Sequence, residues 1–101
     1  MAQRTFKVIW SQNAYDDYIR VIDNLLSNWS EQVTLKFMDI VENNFFLLST
    51  HPFIGIASEK DPTVRSVLLT KHNRLYHQVL QNRIELLSIF DTRQDPEKNK
   101  F

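Results

Sequence analysis

The sequence predicts one α+β domain over residues 1–101, of element order β-α-α-β-β-β, in which an antiparallel sheet carries a helical hairpin on one face. Three observations predict it. Apolar residues recur at three- and four-residue steps along two long stretches, the mark of amphipathic helices. A β-branched and aromatic run precedes those stretches and three more follow them. The last three runs are joined by two or three polar residues, too few for anything but antiparallel hairpins.

Residues 5–10, Thr-Phe-Lys-Val-Ile-Trp, read as the first strand. Ser11 is suited to cap the helix that follows, and Asp16 and Asp17 are expected near enough to its N-terminus to favour the helix dipole. The stripe Ala14, Tyr18, Val21, Ile22, Leu25 marks the buried side of that helix, which should end near Asn28. Ser30 with Glu31 caps a second helix. Its predicted stripe is Val33, Phe37, Ile40, Val41, Asn44 and Leu48, widened by Phe45 and Leu47. His51-Pro52 stops it, because proline cannot continue a helix and restrains the residue before it. Residues 52–62 hold the only glycine and two of the three prolines and read as a loop. Strands are predicted at 64–69, 73–80 and 83–91, with turns at Thr70-Lys71-His72 and Gln81-Asn82. Pro96 and the lysine-rich tail are expected to end the ordered chain.

Composition narrows function. A hydrophobic fraction of 43% with 12% aromatics belongs to a folding chain, not a disordered one. The absence of cysteine excludes disulfides and thiolate chemistry and suits a reducing, cytoplasmic setting. The opening MAQRTFKVIW lacks the apolar stretch of a secretion signal, and no later segment is apolar for long enough to span a bilayer, so no membrane association is expected. Twelve basic and twelve acidic residues cancel, which removes the footprint of a general nucleic-acid binder. The charges are unevenly placed: residues 1–60 hold five basic and seven acidic residues, residues 61–101 seven and five. The second half is the cationic one.

Asn28-Trp29-Ser30 fits a glycosylation triplet, but a helix boundary explains it better. His51, His72 and His77 lack the i, i+4 pairing of a zinc enzyme, and one glycine cannot build a phosphate loop. No metal or cofactor is therefore expected. Serine catalysis is equally unsupported, since no serine stands in a nucleophile elbow. What remains is a cationic and aromatic set: Arg65, Lys71, His72, Arg74, Tyr76, His77 and Arg93. Strand alternation puts Arg74, Tyr76 and Gln78 on one face and Leu75, His77 and Val79 on the other. If Leu75 and Val79 face the core, His77 is partly buried and Arg74 with Tyr76 lines the open face. Such a pair suits RNA, the guanidinium meeting phosphate and the ring stacking on a base. Residue types alone favour the plainer alternative, a solvated charged face.

The sequence resembles the RelE/ParE toxin superfamily of type II toxin–antitoxin systems along nearly its whole length. The resemblance rests on Val8-Ile9-Trp10-Ser11 with Ala14-Tyr15-Asp16-Asp17-Tyr18, on residues 64–76, VRSVLLTKHNRLY, and on residues 84–93, IELLSIFDTR. Arg93-Gln94-Asp95-Pro96 resembles a tail of the ParE-like, plasmid-stabilisation members. The resemblance implies a toxin covered by a cognate antitoxin protein, without which the chain is expected to aggregate. Its target would be DNA gyrase in the ParE-like branch, or mRNA on the ribosome in the RelE-like branch. In the ribonuclease branch Arg74 matches the arginine that holds the scissile phosphate, Arg93 falls near a further catalytic position, and His72 would serve in proton transfer. Arg65, Lys71 and Tyr76 would contact target or RNA. Thr92, Gln94 and Asp95 stand where YoeB-like ribonucleases carry a His-Tyr pair. The ParE-like reading is therefore preferred over a ribosome-dependent endoribonuclease and over a non-toxic antitoxin-binding module.

Overall fold

The computed structural model describes residues 5–101; Met1 to Arg4, on which the reading of a leader partly rests, lie outside the described residues. The chain runs β1 (Lys7–Trp10), α1 (Gln12–Asn28), α2 (Glu31–Thr50), β2 (Ile56–Ala57), β3 (Val64–Thr70), β4 (Asn73–Val79), β5 (Arg83–Asp91) and a 3-10 turn (Pro96–Lys98). The sheet order is β1-β5-β4-β3-β2. The meander β3-β4-β5 is antiparallel, as its short links require, whereas β1 joins β5 in parallel, so the sheet is mixed. Nearly the whole chain separates β1 from β5, and no hairpin forces their direction. β2 was not anticipated within the loop. It pairs Ile56 with Ser66 at the far edge. Gly55 precedes it at φ 89°, where a Cβ would lie 2.1 Å from the Ser66 carbonyl oxygen, so only glycine permits the approach.

Both helices start on serine caps, Ser11 Oγ accepting from the Ala14 N–H and Ser30 Oγ from the Val33 N–H. Asp16 and Asp17 fall beyond the first turn of α1, outside the reach of its dipole, and Asp17 has a different task described below. In α2 the buried positions are Thr34, Phe37, Val41 and Leu48, while Val33 and Leu47 face outward. Thr34 is buried at little cost because its hydroxyl donates to the Ser30 carbonyl, 2.9 Å away.

The core lies between the hairpin and the sheet. Leu48, Leu75, Ile84 and Leu86 are shut off from solvent, each contributing roughly 1.5–3 kcal/mol. Trp10 extends it as an aromatic hub, 5.0 Å from Tyr18 and 5.4 Å from Phe45 between ring centroids. Leu87 is an extra residue in β5, because Tyr76 pairs with Ser88 but His77 pairs with Leu86. Its carbonyl accepts from Ser11 Oγ and Asn13 Nδ2, which ties the start of α1 to the strand.

Candidate functional surfaces

Because Leu75 faces the core, strand alternation turns Arg74, Tyr76 and Gln78 to the opposite face. Register aligns Ser66, Tyr76 and Ser88 across three strands, with Leu68, Arg74 and Phe90 in the next row. This face is not open at Tyr76, which is only 8% exposed. The tail does not end the ordered chain at Pro96 but folds over it. Asp95 caps the 3-10 turn through the Glu97 N–H. Asn99 Nδ2 then donates to the Tyr76 hydroxyl, and the Phe101 ring sits 5.8 Å from the Tyr76 ring. Ser58 Oγ donates to the Phe101 carbonyl and Lys60 Nζ to the Asn99 carbonyl. Arg74 donates through Nη1 to Ser66 Oγ at 3.0 Å. Among the described residues no carboxylate lies within ion-pairing distance of Arg74 or Lys60.

Arg65 points elsewhere. Its guanidinium donates to the Ile54 and Gly55 carbonyls, holding the loop after α2. His77, fully buried, holds the same loop through Nε2 and the Pro52 carbonyl at 3.1 Å, while its Nδ1 has no partner. Burial pushes the His77 pKa down, against the Pro52 hydrogen bond, and nearby Arg65 pushes it the same way as burial. The neutral ring with Nε2–H donating satisfies this arrangement. Lys71 is exposed on the β3-β4 turn, its carbonyl accepting from Thr92 Oγ1.

His72 and Arg93 line a cleft of about 650 Å³ between the hairpin, β5 and the tail. Arg93 is engaged there by a two-pronged contact, Nε to Asp91 Oδ1 at 3.0 Å and Nη2 to Oδ2 at 2.9 Å. The Arg93 hydrogen bonds hold the Asp91 carboxyl below its ordinary range, and the pair raises Arg93 in turn. Deeper in the cleft, β1 stops opposite Leu86 and leaves the outer edge of the rest of β5, the one away from β4, without a strand neighbour. Asp17 stands in for one, its Oδ2 accepting from the Ile89 N–H at 3.0 Å. Its signal in the sequence was a carboxylate on the apolar stripe, three residues after Ala14. Asn99 and Phe101 carried no comparable signal.

The cationic residues singled out from the sequence thus do not line one common site, although Asn99 and Phe101 border both the cleft and the covered face. Arg74 and Tyr76 share the tail-covered face, His72 and Arg93 share the cleft, Arg65 clamps a loop and Lys71 tips a turn. Arg74 does not line the cleft that holds Arg93. Among the described residues, no three His, Asp or Glu side chains are grouped to hold a metal, and no helix is long and apolar enough to cross a membrane.

The family described as the ParE toxin of the type II toxin-antitoxin system parDE matches residues 8–96. No curated protein matches the chain at the sequence level. Among solved structures, the chain is similar to the chromosomal ParDE toxin–antitoxin system from P. aeruginosa, with a TM-score of 0.72 and 17% identity over 87% of this chain and 97% of that one. It is also similar to a YoeB/ParE toxin from Agrobacterium tumefaciens, with a TM-score of 0.61 and 14% identity over 85% and 98%. The YoeB dimer from Staphylococcus aureus aligns with a TM-score of 0.61 and 17% identity over 88% and 97%. At these identities the structural likeness speaks for the fold.

Proposed function

Since the chain belongs to the ParE toxin family of type II toxin–antitoxin systems, we propose that it arrests bacterial growth by binding DNA gyrase in the cytoplasm, and that a cognate antitoxin neutralises it. The observation that favours binding over RNA cleavage is that Arg74 and Arg93 are engaged by different neighbours and do not line the same cleft. Metal-free RNA cleavage needs a base for the 2′-hydroxyl, an acid for the leaving oxygen and positive charge on one phosphate. Here Arg93 is engaged by Asp91 in the cleft, and Arg74 is bonded to Ser66 on the sheet face. His72 accompanies Arg93 in the cleft, but Arg74 is not among the residues lining it.

The cleft itself suits an antitoxin. Leu25, Trp29, Val33 and Phe37 give it an apolar wall, and Arg20 and Lys36 stand among its lining residues. An amphipathic segment with acidic residues is complementary to both features. Trp29, 70% exposed, is the aromatic anchor such a partner would bury.

Purified protein added to a gyrase supercoiling assay should inhibit it, and induced expression should produce filamentation without ribosome-dependent mRNA cuts. In-frame cuts at ribosomal A sites that Arg74→Ala abolishes would establish the endoribonuclease reading instead. Absence of any growth effect, together with tight binding of a neighbouring gene's product, would establish a non-toxic antitoxin-binding module. The chain purified alone should aggregate at high concentration; a monodisperse preparation would count against the need for an antitoxin.

A further inference from the structure

We propose that an apolar groove along the α1-α2 hairpin, outside the cleft, is a docking surface for a basic amphipathic helix of a partner protein. None of the side chains that form it lines the cleft offered to the antitoxin, so the proposal does not rest on that assignment.

Each helix carries a second apolar stripe that the core does not use. On α1 it runs through Tyr15, Ile19 and Leu26, and on α2 through Leu35, Met38 and Phe46, all of them exposed. Their three- and four-residue steps, completed by Ile22 and Glu42, set each stripe along one side of its helix. Contacts between the helices put the two stripes side by side. The Trp10 ring lies 6.1 Å from Tyr15 of α1 and 5.4 Å from Phe45 of α2, the neighbour of Phe46. Tyr18 stacks on Phe37, and burial together with the nearby Glu42 carboxylate holds its pKa above the ordinary value, which places Glu42 on the side of α2 that faces α1. Each stripe rises about 16 Å, three helical turns. An apolar groove of that length between two helices fits the apolar face of a third.

Charge decides what that helix carries. Residues 12–50 hold six carboxylates and two cations. Both cations, Arg20 and Lys36, line the cleft, as does Asp17, the carboxylate that Arg20 engages. The groove keeps the opposite sign. Asp16 and Asp23 stand three and four residues to either side of Ile19, Asp39 follows Leu35 by four, and Glu42 stands within the α2 stripe, so all four share the apolar side of their helices. They are exposed, and among the described residues none has a cation within ion-pairing distance. Lysine or arginine flanking the apolar face of a partner helix would meet them. A second copy of this chain would set the same carboxylates against one another, and a nucleic acid or an anionic bilayer is repelled outright.

The test uses the full chain and two fluorescein-labelled helical peptides of about five turns that share one leucine stripe and carry either lysine or glutamate at every polar position. The lysine peptide should bind about tenfold or more tightly than the glutamate peptide, with a preference that salt weakens. Asp39→Lys with Glu42→Lys should reverse the preference. Ile19→Ser with Met38→Ser should weaken the lysine peptide by about tenfold without changing its salt dependence. Lys36→Glu, in the cleft, should leave binding within about twofold of the parent. All these side chains are exposed, so the variants should keep the parent's urea midpoint. Tetranitromethane should nitrate Tyr15 in the free chain, and the lysine peptide should protect it. Equal affinity for the two peptides, indifference to either double substitution in the groove, or nitration of Tyr15 undiminished by bound peptide would each overturn the proposal. So would a dimer of the chain alone that Ile19→Ser with Met38→Ser dissociates, since a second copy would then be the occupant.

Discussion

Asp17→Ala should destabilise the protein by about 2–3 kcal/mol, although the arginine of its ion pair is mostly exposed. The two contacts of the carboxylate differ in kind. Its partner Arg20 has a side chain 71% exposed against 10% for Asp17, and such half-exposed pairs contribute about 0–1 kcal/mol. The contact with the Ile89 N–H is buried, and it occupies a strand edge that β1 leaves uncovered. Removing the acceptor strands a buried donor, at about 1–3 kcal/mol, and a charged acceptor belongs at the upper end of that range. Arg20→Ala should therefore cost less than about 1 kcal/mol, and Asp17→Asn, which keeps one oxygen, should fall between. Urea titration of the three variants separates the terms, and the alanine variant should melt roughly 10–20 °C lower for a domain of this size. If Asp17→Ala and Arg20→Ala cost the same small amount, Asp17 is a surface charge and its role as a surrogate strand partner is wrong.

Gly55→Ala should cost about 3 kcal/mol or more, since it meets both the positive φ and the Ser66 carbonyl; a urea midpoint near the parent's would show that the loop relaxes freely. Burial lowers the folded-state pKa of His77 below its ordinary value, so its unfolded state binds the proton first as pH falls. The contribution is intact above pH of about 6.5 and is lost on acidification through the window between that value and the folded pKa, with a slope of at most about 1.4 kcal/mol per pH unit. Urea midpoints at pH 7.5, 6.5 and 5.5 should show this loss, and His77→Gln should flatten it.

Much of the fold was legible in the sequence because the signals were local. Ser11 and Ser30 cap helices through their own side chains, Pro52 ends α2, and the two short turns dictate the meander. The parallel seat of β1 and the short β2 were not legible, since each depends on a strand distant in sequence. The same divide runs through the site. Alternation alone placed Arg74 and Tyr76 on one face and Leu75 and His77 on the other. It gave no notice that residues 99 and 101 return to cover Tyr76, because a lysine-rich stretch after proline carries no periodicity to read. Arg65 was misleading for a related reason: a cation on a strand looks available until the loop it clamps is in place.

The ribonuclease alternative turns on whether Arg93 is a masked phosphate-binding group, and Asp91→Asn decides it. Asp91 engages the guanidinium at two points within the cleft that Arg93 lines. Replacing the carboxylate by an amide removes the charge and one acceptor and loosens the guanidinium, while the backbone-to-backbone contacts around it, including Thr92 N–H to the His72 carbonyl, are untouched and the remaining amide oxygen can still accept from the Arg93 N–H. If Arg93 serves cleavage, its release raises the rate of mRNA cutting, because a guanidinium no longer neutralised by its neighbour binds phosphate more strongly. If the toxin acts by binding, the variant cuts no more RNA than the parent and arrests growth as before. Primer extension on a reporter mRNA after brief induction measures the first, and supercoiling inhibition the second. A gain of cleavage with undiminished gyrase inhibition would show two activities on one chain.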